Sequence, residues 1–168
     1  ELRVLQRVLD LAVPGEPESV WRAIEDFDGG ERWSKFAGEE KMDIFCDAVR
    51  RVASSGRVLE IGTYCGYSAV RMAVALPELR IVSLEIDPVF VIVARNVIAL
   101  AGLVDRVEVW TGHAKYLFQK FAHRGDSFRA VFMDRWGSQY YEELRLLEDL
   151  ELLDSGGCAI VADAVLRY

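Results

Sequence analysis

Apolar positions in the first third of the chain recur at helical spacing, and after residue 57 they gather into short continuous runs. Leu2, Leu5, Val8, Leu9 and Ala12 predict a helix over 2–13 that stops at Pro14-Gly15. Val20, Ile24 and Phe27 predict a second helix, starting after Pro17-Glu18 and broken by Gly29-Gly30. Met42, Phe45, Cys46 and Val49 share one face of a third, from about Gly38 to Ala53. Then the period changes. Runs at 58–61, 81–86, 107–110, 129–133 and 158–162 read as strands. Helices are expected between them, from about Ser68, over 88–101, over 115–122 and over 140–152.

Strand and helix alternating in this way predict a doubly wound α/β fold, with a mostly parallel sheet and right-handed crossovers. The strands are apolar throughout, as expected when helices cover both sheet faces. One sheet implies one domain over 1–168, with a helical N-terminal third. Ligands of such sheets bind beyond the C-terminal strand ends. The residues to inspect are therefore 60–68, 85–88, 112–115, 134–136 and 163 onward.

Composition narrows the partners. Of 168 residues, 52% are hydrophobic and 28% charged, the balance of a folded chain. The formal net charge is −7 and the basic residues are scattered, which disfavours nucleic acid. No apolar run reaches the length of a membrane span. Three cysteines, Cys46, Cys65 and Cys158, lack metal-ligand spacing and read as reduced, buried thiols of a cytoplasmic protein. The chain opens at Glu1 without Met or a signal-peptide pattern, leaving room for an upstream targeting segment.

The first strand runs into Glu60-Ile61-Gly62-Thr63-Tyr64-Cys65-Gly66-Tyr67-Ser68. Gly62 and Gly66 permit a sharp turn and close backbone approach, and Ser68 is placed to cap the next helix or bind a carboxylate there. Alone, this is also an ordinary strand-to-helix turn. The second strand adds Glu85 at its tip, 23 residues beyond Gly62, where a carboxylate can accept both hydroxyls of a ribose. Tyr64 occupies the place of the second glycine in a dinucleotide fingerprint, so a nicotinamide dehydrogenase fits poorly. A nucleoside without phosphates fits better, because the site offers Glu60 and Glu85 rather than a phosphate cradle. S-adenosylmethionine is such a nucleoside, with an amino group that Glu60 can serve.

The run Leu59-Glu60-Ile61-Gly62-Thr63-Tyr64-Cys65-Gly66-Tyr67-Ser68-Ala69-Val70-Arg71-Met72-Ala73 resembles the cofactor loop of animal catechol O-methyltransferases. Pro14-Gly15, Ser19-Val20, the segment 101–107 and Phe132-Met133-Asp134-Arg135-Trp136 extend the likeness in order to Ala162-Asp163. The resemblance implies that Glu60 binds the amino group of S-adenosylmethionine, Ser68 its carboxylate and Glu85 the ribose. Gly62 and Tyr64 join these contacts. Ile86 and Trp136 would flank adenine, beside Gly112-His113-Ala114-Lys115, and the backbone of Ala37 would touch the cofactor. Asp134 and Asp163 match the family's metal-binding aspartates, implying Mg²⁺, with Asp134 also near the cofactor. Trp33 and Lys35 fall at substrate positions, Trp33 as a wall for a flat catechol.

Several departures accompany the likeness. The family's Ser and Gln on the adenine side are here Ala114 and Lys115. Its third metal ligand, an asparagine, is Ala164, and its catalytic lysine is Gly137, which leaves the catalytic residue unknown. Arg135 is no substitute base, since guanidinium stays protonated. His113 lies at a position facing the cofactor, and His123 reads as a surface helix end. The expected function is Mg²⁺-assisted O-methylation of small catechols, with reduced activity, and the alternative is a cofactor-binding module without catalysis. The family fold ends in two further strands that this chain does not reach, so association through an exposed sheet edge is also expected.

Overall fold

A computed structural model describes residues 2–28, 39–135 and 139–163. Three helices come first, α1 (Leu2–Leu11), α2 (Pro17–Asp28) and α3 (Glu39–Val52). Strands and helices then alternate as β1 (Gly56–Ile61), α4 (Tyr67–Ala75), β2 (Leu79–Glu85), α5 (Pro88–Leu100), β3 (Val107–Thr111), α6 (Ala114–His123), β4 (Ala130–Met133), α7 (Tyr140–Asp149) and β5 (Ala159–Ala162). The sheet has the order β3-β2-β1-β4-β5 and every pairing is parallel. The doubly wound α/β fold read from the sequence is therefore the fold observed.

The order places β1 at the centre, where the direction of winding reverses. All five strands deliver their C-terminal ends to one edge. Val58 and Ile81 pack on one face, with α1 to α5. Leu59, Ile61, Val82 and Leu84 pack on the other, with α6 and α7. The central strands are buried on both faces, which is why their sequences lack alternation. The edges differ: Glu108 on β3 and Ile160 on β5 meet solvent.

Local chemistry sets the turns. Asp87 caps α5 by accepting from Val89 N–H at 2.8 Å, with Pro88 opening the helix. Arg106 closes the end of α4, donating to the carbonyls of Leu76 at 3.0 Å and Leu79 at 2.6 Å. The α2 helix is fastened to α4 by Tyr67, whose hydroxyl donates to Glu25, and by Arg71, stacked 4.8 Å over the Trp21 ring.

Three details correct the sequence reading. Leu2 and Leu9 are exposed, because the side of α1 that meets its neighbours is centred on Val4 and Val8. The last helix stops at Asp149 rather than Leu152, since Glu151 turns left-handed at φ 53°. Leu152 N–H then closes on the Leu147 carbonyl and its side chain swings into the core. Cys46 and Cys65 are buried as expected, but Cys158, near the sheet edge, is only half-buried.

The Phe45 ring, fully buried, lies 5.0 Å from that of Phe132 and joins α3 to the sheet. Phe45→Ala should cost about 3–5 kcal/mol, read as a lowered midpoint in urea at unchanged slope. A loss below about 1 kcal/mol would mean that α3 does not depend on this contact.

Candidate functional site

The site is built from what the strands carry to their shared edge. Glu60, one residue before the end of β1, is completely buried. Its register partner on β2 is Ser83, also completely buried and on the same sheet face. Ser83 donates its hydroxyl to Glu60 Oε2, and Ser68, from the first turn of α4, donates to Oε1. Behind them the Thr63 and Ser83 hydroxyls lie 2.5 Å apart. Burial, opposed by the two serine hydrogen bonds, pushes the Glu60 carboxyl up to about 8.

The turn after β1 is held by its backbone. Gly62 and Thr63 N–H groups both donate to the Leu84 carbonyl, at 3.0 and 3.1 Å. Gly62 has φ 110°, and a Cβ there would stand 2.1 Å from the Asp134 carbonyl oxygen. Only glycine allows the loops after β1 and β4 to touch. Gly66, at φ 84°, begins α4 without a side-chain cap. Ser68 is thus one residue inside the helix, not its cap, and its hydroxyl faces Glu60.

Glu85 ends β2 and is gripped by backbone N–H groups. Tyr64 donates to Oε2 at 2.9 Å, and Ile86 and Asp87 donate to Oε1 at 2.7 and 2.9 Å. Gly112 N–H donates to the Glu85 carbonyl at 2.9 Å, bringing the loop after β3 alongside. Ile86 is 53% exposed, so its face is open to a ligand. Where the loop after β3 enters α6, His113 and Lys115 are exposed and Ala114 is buried. The Lys115 ammonium sits 4.8 Å over the Tyr116 ring. His123 ends α6 at the surface, as expected.

Asp134 and Asp163 follow β4 and β5. Their N–H groups donate to Ile61 and Met133 carbonyls, at 3.0 and 2.8 Å, so the two residues stand on adjacent strand ends. Burial, then the charge of Asp163, pushes Asp134 up to about 7. Lys41, from α3, places its ammonium 2.8 Å from both oxygens of Asp163. Arg135 turns away, 2.7 Å from Glu143 and also bonded to Gln139. Among the described residues no third acidic, histidine or cysteine side chain joins the two aspartates.

The structure therefore gathers Glu60, Gly62, Tyr64, Ser68, Glu85, Ile86, Gly112, Asp134 and Asp163 at one edge. Trp33, Lys35, Ala37 and Trp136, with the positions of Gly137 and Ala164, lie outside the described residues. Sequence reasoning missed Lys41, which sits 122 residues from its partner in no local motif. It also missed Ser83 and Thr63. The signal for Ser83 was present, a polar residue inside the apolar run Ile81-Val82-Ser83-Leu84.

A central glycine turn followed by a carboxylate on the next strand end, in a sheet of this order, defines a class I methyltransferase fold. The family model for O-methyltransferase matches residues 31–167, and the chain belongs to that family. It is 37% identical to the catechol O-methyltransferase of Bos taurus, over 99% of this chain and 61% of that protein. It is 38% identical to catechol O-methyltransferase B of Danio rerio, over 98% of this chain and 62% of that one. The chain spans about three fifths of the length of these curated relatives. Among solved structures, the O-methyltransferase from Bacillus cereus in complex with SAH superposes with a TM-score of 0.76 at 27% identity, covering 98% of this chain and 74% of that one. Among the described residues no helix is long and apolar enough to cross a membrane.

The raised proton affinity of Glu60 fixes the sign of a pH effect. The folded state holds this proton more tightly than the unfolded chain, so ligand-free stability should fall as pH rises between about 4.5 and 8. Glu60→Gln should flatten that part of the profile, measured as urea midpoint against pH, and the slope that remains belongs to Asp134 and Glu143, whose carboxyls burial also raises. Parallel profiles for the two proteins would show that Glu60 holds no extra proton.

Proposed function

We propose that this chain is the cofactor-binding part of an S-adenosylmethionine-dependent O-methyltransferase that acts, with Mg²⁺, on small catechol-type hydroxyls in the cytoplasm. The observation that carries this reading is the pairing of Glu60 and Glu85 at the two sides of one glycine turn, without a phosphate cradle. Glu60 takes the ammonium of the amino-acid end, Ser68 turns its hydroxyl to the carboxylate, and Glu85 accepts the ribose hydroxyls. The backbone grip on Glu85 holds its carboxylate ready for them. Because burial loads Glu60 with a proton, docking of an ammonium releases that proton. The four acidic side chains along the edge favour a cationic ligand such as a sulfonium.

Asp134 and Asp163 supply two carboxylates on adjacent strand ends, a set that suits Mg²⁺, which keeps several waters and takes one or two carboxylates. Bound there, Mg²⁺ would lower the pKa of the acceptor hydroxyl and orient it. The catalytic base is unassigned: Gly137 and Ala164 carry no functional side-chain atoms, and Arg135 stays protonated in its contact with Glu143. Loss of a general base costs roughly 10²–10⁴ in rate, so turnover is expected to be slow. Family membership favours an enzyme over a non-catalytic module.

The test is calorimetric titration of the full-length protein with S-adenosylmethionine, followed by a methyl-transfer assay on catechol with and without Mg²⁺. Saturable binding and slow, Mg²⁺-dependent transfer are expected. Binding without transfer under any condition would leave the non-catalytic module, and no binding would remove both. Glu85→Ala should reduce cofactor affinity by at least about tenfold, the loss of a charge-assisted hydrogen-bonding pair. Unchanged affinity would refute the ribose assignment.

A further inference from the structure

Behind Glu60, Ser68 and Glu85 lie two further hydroxyls that do not themselves reach the proposed ligand. Ser83 is completely buried in the middle of β2, and Thr63 is 2% exposed in the turn. Ser83 interrupts an otherwise apolar run, Ile81-Val82-Ser83-Leu84. A buried hydroxyl is costly unless fully hydrogen-bonded, and these two are bonded in a fixed direction. With an ammonium docked and its proton released, Glu60 is a carboxylate and only accepts. Ser83 must therefore donate its single proton to Glu60 Oε2, so the 2.5 Å contact with Thr63 requires Thr63 to be the donor. The chain runs from Thr63 to Ser83 to Glu60, and Ser68 donates to the other oxygen.

The two serines are not equivalent. Ser68 lies on the first turn of α4, 6% exposed, and can rotate toward a ligand. Ser83 is locked by register opposite Glu60, with the Thr63 hydroxyl as its other hydrogen-bonding neighbour. When Ser68 turns away, Ser83 is the side-chain donor that remains on the carboxylate.

We infer that Ser83, oriented by Thr63, is a positioning residue that holds the Glu60 carboxylate for the α-ammonium group of the cofactor, and so determines recognition of its amino-acid end. This inference rests on the assignment of Glu60 to that ammonium. It predicts a selective effect. The nucleoside end is held by Glu85, 2 residues further along the same strand, through backbone donors that do not involve Ser83.

The experiment compares two ligands by calorimetry on the full-length protein: S-adenosylhomocysteine, which has the α-ammonium, and 5′-methylthioadenosine, which lacks the amino-acid end. Ser83→Ala should weaken S-adenosylhomocysteine by about tenfold or more, the loss of a hydrogen bond to a charged group. Binding of 5′-methylthioadenosine should stay within about twofold. Ser83→Thr keeps the hydroxyl and should restore most of the difference. Equal losses for both ligands would assign Ser83 a merely structural role, and no loss for either would remove its role altogether; each overturns the inference. If Ser83→Ala does not fold, Thr63→Ala carries the same comparison, with a smaller loss confined to S-adenosylhomocysteine expected and a non-selective result overturning it. Wild-type protein that binds 5′-methylthioadenosine but shows no gain from the amino-acid end refutes the Glu60 assignment alone. Wild-type protein that binds neither refutes the cofactor reading itself.

Discussion

A carboxyl group enclosed within a parallel sheet must be compensated by its neighbours, and Glu60 is the place where this fold meets that demand. Its side chain is sealed from solvent on the central strand. The compensation comes from Ser83 on the neighbouring strand and Ser68 on the following helix. Both donors depend on larger features, the register of β1 against β2 and the turn that carries the chain into α4. The register is set by apolar strands buried on both faces, and the turn requires a residue without a side chain at Gly62, where the Asp134 carbonyl passes. The buried acid, the glycine and the register thus stand or fall together.

The same constraint explains how the two halves of the edge communicate. Contact between Gly62 and the Asp134 backbone brings the turn after β1 against the loop after β4. Asp134 in turn raises the proton affinity of Glu60, and Glu85 adds to it. Among the described residues, Lys41 brings a positive charge to this acidic edge, on Asp163. Arg135, although next to Asp134 in sequence, is committed to Glu143 and Gln139.

Outside the edge, the molecule spends its polar contacts on fastening helices. Tyr67 and Arg71 stand on the helix that begins at the turn and reach back to α2, through Glu25 and Trp21. The N-terminal helices therefore brace the element that presents Ser68. Arg106 closes the opposite end of that helix. A short helix with both ends secured keeps Ser68 at hydroxyl distance from Glu60, which a frayed first turn would not.

Much of this was legible in the residues alone. The change from helical spacing to short apolar runs determined the doubly wound fold, because strands covered on both faces cannot tolerate alternation. Gly62, Gly66 and Glu85 marked the turn and the strand tip, because glycine conformation and offset along the chain are local properties. What the sequence left open lies between segments. The pairing of Ser83 with Glu60 depends on register, the grip of Lys41 on Asp163 joins residues 122 apart, and the end of α7 was decided by Leu152 finding the core. Local spacing determines which elements form. Only the packed sheet decides which side chains meet, because those contacts are made across strands and helices whose separation in sequence carries no periodic signal.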